Sequence, residues 1–565
     1  SAARRFDSPC RHALVYHRAS FHPSAEKILV LPKRRLIIAG ATVGGLFVLY
    51  AASSYWAGVK AEDTLQEQHR MLASLPLFKV KSHSYERGWF SSTETTELVF
   101  NRHLSGPYEN MLPDNMKSLL NATIKFTNHI QHGPLPGLSG FSFRPGRALV
   151  KTEFAMSDAT RKTLKTFFGD KDPITIVNHI GFGGGGLLDV NIPSFDYEEA
   201  LSGVKMKWKG FDLQVDYAHG YREYKTEALS PGFLLEAASK GNVSFEGVRY
   251  VSDMRPGNTD IKLGTSELTI GNIQLSSRES VPYSIKLNEL IYLMTRVRVG
   301  EFVNPSGEFK PSSVVLKNFS YQIVTSEQDD FVNTRGKVNF AELSFNENRY
   351  GPMRLDVSAN HLHGPTLVKL DRAISQIPFE GVDPAVLRKQ YVDTIKKNAI
   401  PLLENNPKLL INEFYLKMPS GEATLQGSLG INGFTPADLG DITLLAKRIE
   451  AEAKLSLPRQ TLEGLVLTQA RNLFTVDHTA EDQPNMQEVD DLAKSLLDSQ
   501  LAQWKSEDYI VEDNGQISTE LNYNAKGLTI HKEKVALPWE ESEEPAPAGA
   551  SAPLAAPAAK PAAKK

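Results

Sequence analysis

Phe211-Asp212-Leu213-Gln214-Val215-Asp216-Tyr217 alternates apolar and polar side chains without a break. Successive side chains of an extended chain point to opposite sides, so the segment predicts a strand with one face in a core and the other in water. The same period of two runs through residues 95–100, 123–129, 203–208, 262–270, 312–323 and 422–431. Gly, Asn, Pro or Ser interrupts most of these segments, and Pro256-Gly257-Asn258 is a turn signal shortly before Lys262. Half-exposed strands of this kind belong to antiparallel sheets. The expected fold class is α+β: predominantly antiparallel β-sheet with a few packing helices, plus one N-terminal transmembrane helix.

Helical spacing is rarer. Residues 60–75, 113–120, 157–168, 383–400 and 488–504 read as helices. In 383–400, Val386, Leu387, Tyr391, Ile395 and Ile400 recur at short helical spacings, with Asp383 as N-cap and Pro384 at the first helical position. In 488–504, Leu492, Leu496, Leu497 and Leu501 form the expected apolar stripe. Such stripes are most simply sheet-packing faces; a lipid or partner groove is the alternative. Asn128-His129-Ile130-Gln131-His132-Gly133-Pro134 resembles Asn360-His361-Leu362-His363-Gly364-Pro365, which suggests an internal duplication.

Residues 36–59, from Leu36 through Val59, carry no ionisable charge and follow Lys33-Arg34-Arg35. A bilayer-spanning helix needs roughly 20 such residues. Residues 1–35 hold eight Lys/Arg against Asp7 and Glu26; with −3 for the whole chain, residues 60–565 carry −9. Positive flanks stay in the cytoplasm, so the N-terminus is expected inside and the bulk outside. Tyr50, Tyr55 and Trp56 suit an aromatic belt at the far interface. A cleaved signal peptide ending near Ala51-Ala52-Ser53 is the rival reading. The only cysteine, Cys10, precedes the span, so no disulfide staples the rest and a small disulfide-rich module is excluded. The expected organisation is a basic cytoplasmic extension (1–35), an anchor (36–59), a first β-rich periplasmic region (60–350), a second α+β periplasmic region (351–539) and an Ala/Pro-rich tail (540–565) too uniform to fold.

Tyr85-Glu86-Arg87-Gly88-Trp89-Phe90-Ser91-Ser92, shortly after the apolar stretch, resembles the opening signature of the YdgA family of Gram-negative envelope proteins. His132-Gly133-Pro134-Leu135-Pro136 is similar to a second element of that family, as are residues 409–416 followed by Pro419-Ser420-Gly421-Glu422. The resemblance implies an inner-membrane-anchored periplasmic protein of a family with no assigned molecular function. On physical grounds Gly88 permits a bend, Trp89 and Phe90 are expected to begin a strand, and Trp89 is expected in the core.

Catalytic motifs are weak. His129, His132, His361 and His363 would make a metal cluster only if their segments paired, and turn or sheet-surface roles are the simpler reading. Gly181-Phe182-Gly183-Gly184-Gly185-Gly186 lacks the Lys-Ser/Thr of a phosphate cradle and reads as a hairpin turn. Ser202-Gly203-Val204-Lys205 lies on a strand pattern, not at a helix start. No catalytic, cofactor or metal residue is therefore assigned. The negative charge beyond the span argues against nucleic acid. The expectation is a non-enzymatic envelope protein holding a lipid or a protein partner, with self-association as a variant. A hydrolase with an unfamiliar site is the alternative.

Overall fold

The structure, a computed structural model, describes residues 33–74, 78–100, 123–137, 144–199, 203–237, 240–278, 313–377, 384–474 and 485–537; side chains of 33–40, 74, 159, 384–385 and 472–474 are outside that set. The basic extension, segment 113–120, Asp383 and the tail all lie outside the described residues. The chain divides into a unit up to Ser53 and a unit from Ser54 onward.

The second unit is built on antiparallel strands laid down mostly in chain order. Its first part comprises β1 (Phe78–Arg87), β2 (Ser91–Phe100), β3 (Thr123–His132), β4 (Ala148–Phe154), β5 (Thr175–Ile180), β6 (Gly186–Ile192), β7 (Phe195–Glu199), β8 (Val204–Trp208) and β9 (Phe211–Tyr217). The long strands follow: β10 (Tyr224–Ala237), β11 (Gly241–Pro256), β12 (Lys262–Ser277), β13 (Ser313–Gln328) and β14 (Phe331–Phe340). Then come β15 (Glu342–Phe345), β16 (Asn348–Tyr350), β17 (Met353–His363), β18 (Lys408–Met418), β19 (Gly421–Ile431) and β20 (Ile449–Pro458). The last are β21 (Val511–Asp513), β22 (Gln516–Asn524), β23 (Gly527–Ile530) and β24 (Glu533–Val535). Each alternating segment of the sequence is a strand here, and the expected turns fall at Gly257-Asn258, just after Pro256 ends β11, and at 181–185, just before Gly186 begins β6.

From β1 to β6 each strand pairs with the next. The ladder goes on through β9 to β14, β17 to β20, and β22 to β24. It crosses residue 350 through the β14–β17 pairing. Side branches are β7–β8 on β10, β15–β16 on β13, and β21 on β22.

Helix α1 (Lys33–Ser74) spans the position of the expected anchor. Among the described residues, however, no helix is long and apolar enough to cross a membrane. The physical reason is composition: from residue 41 on, Thr42, Gly44, Gly45, Tyr50, Ser53 and Ser54 dilute the apolar residues of the helix, and Ser54 and Ala57 are buried within the β-sheet unit. Val43, Leu46, Phe47, Val48 and Leu49 are exposed.

Other helices are shorter. Helix α2 (Asp158–Phe168) is capped by Ser157, whose Oγ accepts from the Thr160 N–H at 3.1 Å. Its Phe167 and Phe168 rings pack on Phe195 at 5.3 and 5.0 Å between centroids. Helices α3 (Gly364–Ser375), α4 (Pro384–Asn398) and α5 (Ile400–Glu404) follow β17, and α6 (Ile442–Lys447) precedes β20. Helices α7 (Arg459–Phe474) and α8 (Met486–Ser506) close the fold by packing Leu462, Val466, Leu497 and Leu501 over Ile510 and Ile517.

The stripe expected on α8 is corrected. Val489, Ala493, Leu497 and Leu501 are buried, whereas Leu492 and Leu496 are exposed. Steps of four residues keep one face of a helix together, so Ala493 takes the core position that its small size hid.

Candidate functional site

The strand register sorts the sheet into two unlike faces. On one, a cross-strand row runs from Ile176 through Val190, Leu213 and Ala228 to Tyr250, Leu268 and Tyr321. Val338, Leu355, Phe414, Leu425 and Leu455 carry it on to β20. A flanking row, Ala359–Leu409–Leu429–Ala451–Tyr523, lies beside it. The opposite face carries cross-strand ion pairs such as Arg249–Glu227 at 2.9 Å, Arg354–Glu413 at 2.7 Å and Lys454–Glu520 at 3.0 Å. Each exposed pair is worth little. Together they mark the wet side. Burial of the apolar face is incomplete: Tyr321, Val357, Leu409 and Leu429 are exposed, the last two by 50% and 48%.

Traced the other way from Ile176, the main row turns polar. Ile176 pairs with Thr152, Thr152 with Asn128, and Asn128 with Glu94. Their side chains form a chain of hydrogen bonds: the Thr152 hydroxyl donates to Asn128 Oδ1 at 2.7 Å, and Asn128 Nδ2 donates to Glu94 Oε2 at 2.8 Å. The Glu94 carboxylate is buried. Beside this polar end lies a cavity of about 400 Å³, with Leu65, His69 and Leu72 of α1 on one side and Phe78, Phe126 and Phe154 of the sheet among its other walls. Ligand sites are typically about 300–1,000 Å³, mostly apolar, with a few convergent polar groups. A second cleft, about 640 Å³, has charged walls including Lys151, Glu153, Arg161 and Asp170.

Three contact sets fix α1 over the sheet. Gln68 Nε2 donates to the Tyr217 hydroxyl at 3.0 Å, which donates to Asn178 Oδ1 at 2.7 Å. Burial pushes the Tyr217 hydroxyl pKa up, so it stays protonated and able to donate. Arg147 donates from one terminal nitrogen to the Thr64 hydroxyl at 2.8 Å and from the other to the Phe182 carbonyl at 2.5 Å. His132 exchanges bonds with Ser54: its Nδ1 lies 3.0 Å from the Ser54 carbonyl, while the Ser54 hydroxyl donates to the His132 carbonyl at 2.6 Å. The imidazole lies against Gly58, where a Cβ would stand 2.6 Å from the ring, so only glycine fits. Burial lowers the His132 pKa and keeps the ring neutral.

These contacts place the signature residues. Gly88-Trp89-Phe90 is the turn of the β1–β2 hairpin, closed by the Gly88 N–H donating to the Ser91 carbonyl at 2.8 Å. A Cβ on Gly88 would meet that oxygen at 2.7 Å. Trp89 and Phe90 therefore do not begin a strand; β2 starts at Ser91, and Trp89 is 64% exposed instead of in the core. The Trp89 ring rests 5.1 Å from that of Tyr55, and Arg87 bonds Glu62 on the same helix at 2.8 Å. Tyr85 packs against the buried cluster of Ala61, Leu65, Ile130 and Val150, and Ser92 is buried. The His132 N–H donates to the Phe90 carbonyl at 3.0 Å, and the Gly133 N–H to the Arg147 carbonyl at 3.1 Å, ahead of Pro134. The Tyr85-to-Ser92 and His132-Gly133-Pro134 elements thus meet, and both hold α1.

The four histidines singled out in the sequence are not gathered. His129 is exposed beside Glu153 at 3.3 Å, and His132 is buried as above, not at a surface. His361 stacks on Phe331 at 3.8 Å, and His363 Nδ1 lies 2.7 Å from the Thr366 hydroxyl. The residues at the polar end of the row, Glu94, Asn128 and Thr152, went unrecognised because strand alternation alone does not reveal which polar side chains turn inward.

The protein is 22% identical over 390 residues to an uncharacterised protein of Haemophilus influenzae, an alignment covering 68% of this chain and 98% of that one. No solved structure matches it. The match to a family model spans residues 33–538, and the chain belongs to that family, described as bacterial protein of unknown function (DUF945).

Proposed function

We propose that the protein is a periplasmic, inner-membrane-tethered component of the cell envelope that binds a single-chain or two-chain lipid. The acyl portion lies on the apolar face of the sheet where Leu409 and Leu429 leave it exposed. The observation that carries this reading is the row itself: apolar from Ile176 to Leu455, polar at one end, and flanked by half-exposed Leu409 and Leu429. Exposed apolar surface of this extent on a folded protein commonly marks a binding face. The exposed Val43, Leu46, Phe47, Val48 and Leu49 of α1 support a membrane tether, and exposed Trp56 and Trp89 suit its interfacial belt. The likeness of Tyr85 to Ser92 to the YdgA signature supports the periplasmic side.

The test is native mass spectrometry of the full chain extracted in mild detergent, with the co-purified lipid identified by organic extraction. The expected result is one stoichiometric lipid that survives dilution of the detergent. Protein free of lipid, with no uptake from phospholipid vesicles, would overturn the reading. Reporter fusions after Val535 test the topology, with activity expected only outside the cytoplasm.

A further inference from the structure

His69 on α1, His83 on β1 and Glu94 on β2 converge at the polar end of the cavity. The two imidazole rings stack 3.7 Å apart with their planes at 23°, and His83 Nε2 lies 2.9 Å from Glu94 Oε1. One ligand atom from each of the three residues falls within 4.8 Å of the others. Glu94 is buried, and among the described residues its only ion-pair partner is His83. A buried carboxylate is costly without a cation to balance it. Two stacked imidazoles cannot both carry charge cheaply.

We propose that His69, His83 and Glu94 form a binding site for a divalent transition-metal ion, with Zn²⁺ the best fit to two imidazoles and one carboxylate. Imidazole nitrogens suit zinc, and three protein ligands leave a fourth position for water or a ligand atom. Ligand distances of about 2 Å require the two imidazoles to rotate out of their stack, so that their in-plane lone pairs converge on one point. Binding replaces the His83–Glu94 hydrogen bond. Asn128 keeps its bond to the other Glu94 oxygen and so orients the carboxylate, as partners of metal ligands do. His69 and Glu94 line the cavity, whereas His83 is exposed, so the ion stands between the cavity and solvent. This site is independent of the lipid reading and stands or falls on metal binding alone.

The experiment uses the untagged full chain, stripped with chelator, titrated with ZnCl₂ by calorimetry and with CoCl₂ by visible absorption. The expected result is one Zn²⁺ per chain and the intense d–d bands of a low-coordinate Co²⁺ site. His69→Ala and His83→Ala should each weaken binding tenfold or more, and Asn128→Ala should weaken it by roughly tenfold to a hundredfold. Circular dichroism checks that each variant is folded; should Asn128→Ala fail to fold, the two histidine variants decide alone. Zn²⁺ bound unchanged in the His69→Ala/His83→Ala double variant, or no Zn²⁺ bound by the wild type, would overturn the proposal.

Discussion

Replacing Leu409 and Leu429 together by Thr should weaken lipid binding while leaving the sheet intact. Thr is β-branched, a shape strands favour, so backbone pairing is preserved. The two side chains are 50% and 48% exposed. Full burial of a leucine is worth about 1.5–3 kcal/mol, so an acyl chain covering the exposed half of each gains roughly 1 kcal/mol per residue. Losing both costs roughly 2 kcal/mol, or about thirtyfold in Kd. The assay is displacement of a fluorescent fatty acid from delipidated full-length protein. Leu229→Thr is the control: it is exposed on the charged face, paired with Asp212 and Arg249, and should leave Kd unchanged. Equal Kd values for the double variant and the wild type, at equal thermal midpoints, would refute the placement of the chain on this row.

Other outcomes follow from the α1 contacts. Tyr217→Phe removes the bonds its hydroxyl makes with half-buried Gln68 and buried Asn178, and should cost about 1–3 kcal/mol in urea denaturation; a change under about 0.5 kcal/mol would contradict the geometry. Trp89→Ala, at an exposed turn, should shift stability by less than about 1 kcal/mol but reduce partitioning onto phospholipid vesicles; strong destabilisation would restore the core reading. Gly88→Val should open the β1–β2 hairpin, because its Cβ would meet the Ser91 carbonyl at 2.7 Å, and limited proteolysis should then cut near Arg87. His132 and His69 both have pKa values below the ordinary 6.5, chiefly from burial. The unfolded chain therefore binds more protons at mildly acid pH, and stability should fall as pH drops through 6.5. His132→Gln should flatten that fall, read as thermal midpoint against pH.

Much of the sheet was legible in the residues. Alternation such as that of 211–217 needs only local chemistry, although on β2 the buried side is polar, with Ser92, Glu94 and Thr96 turned inward. Failures cluster where large side chains mislead. Trp89 looks like core, but a hairpin closed by Gly88 leaves it no strand position. Leu492 and Leu496 outweigh Ala493 in any count of hydrophobicity, yet packing of α8 selects the small residue. The His69–His83–Glu94 group was invisible because its members come from a helix and two strands, and only the docking of α1 on the β1–β2 hairpin unites them.

The nearest-neighbour order of the meander has a further consequence for how such a chain can vary. Each new hairpin joins an existing edge without disturbing the register already laid down, and two strands extend a sheet by about 10 Å. The greasy track on this molecule can thus be lengthened or shortened in nanometre steps by whole-hairpin insertion or loss.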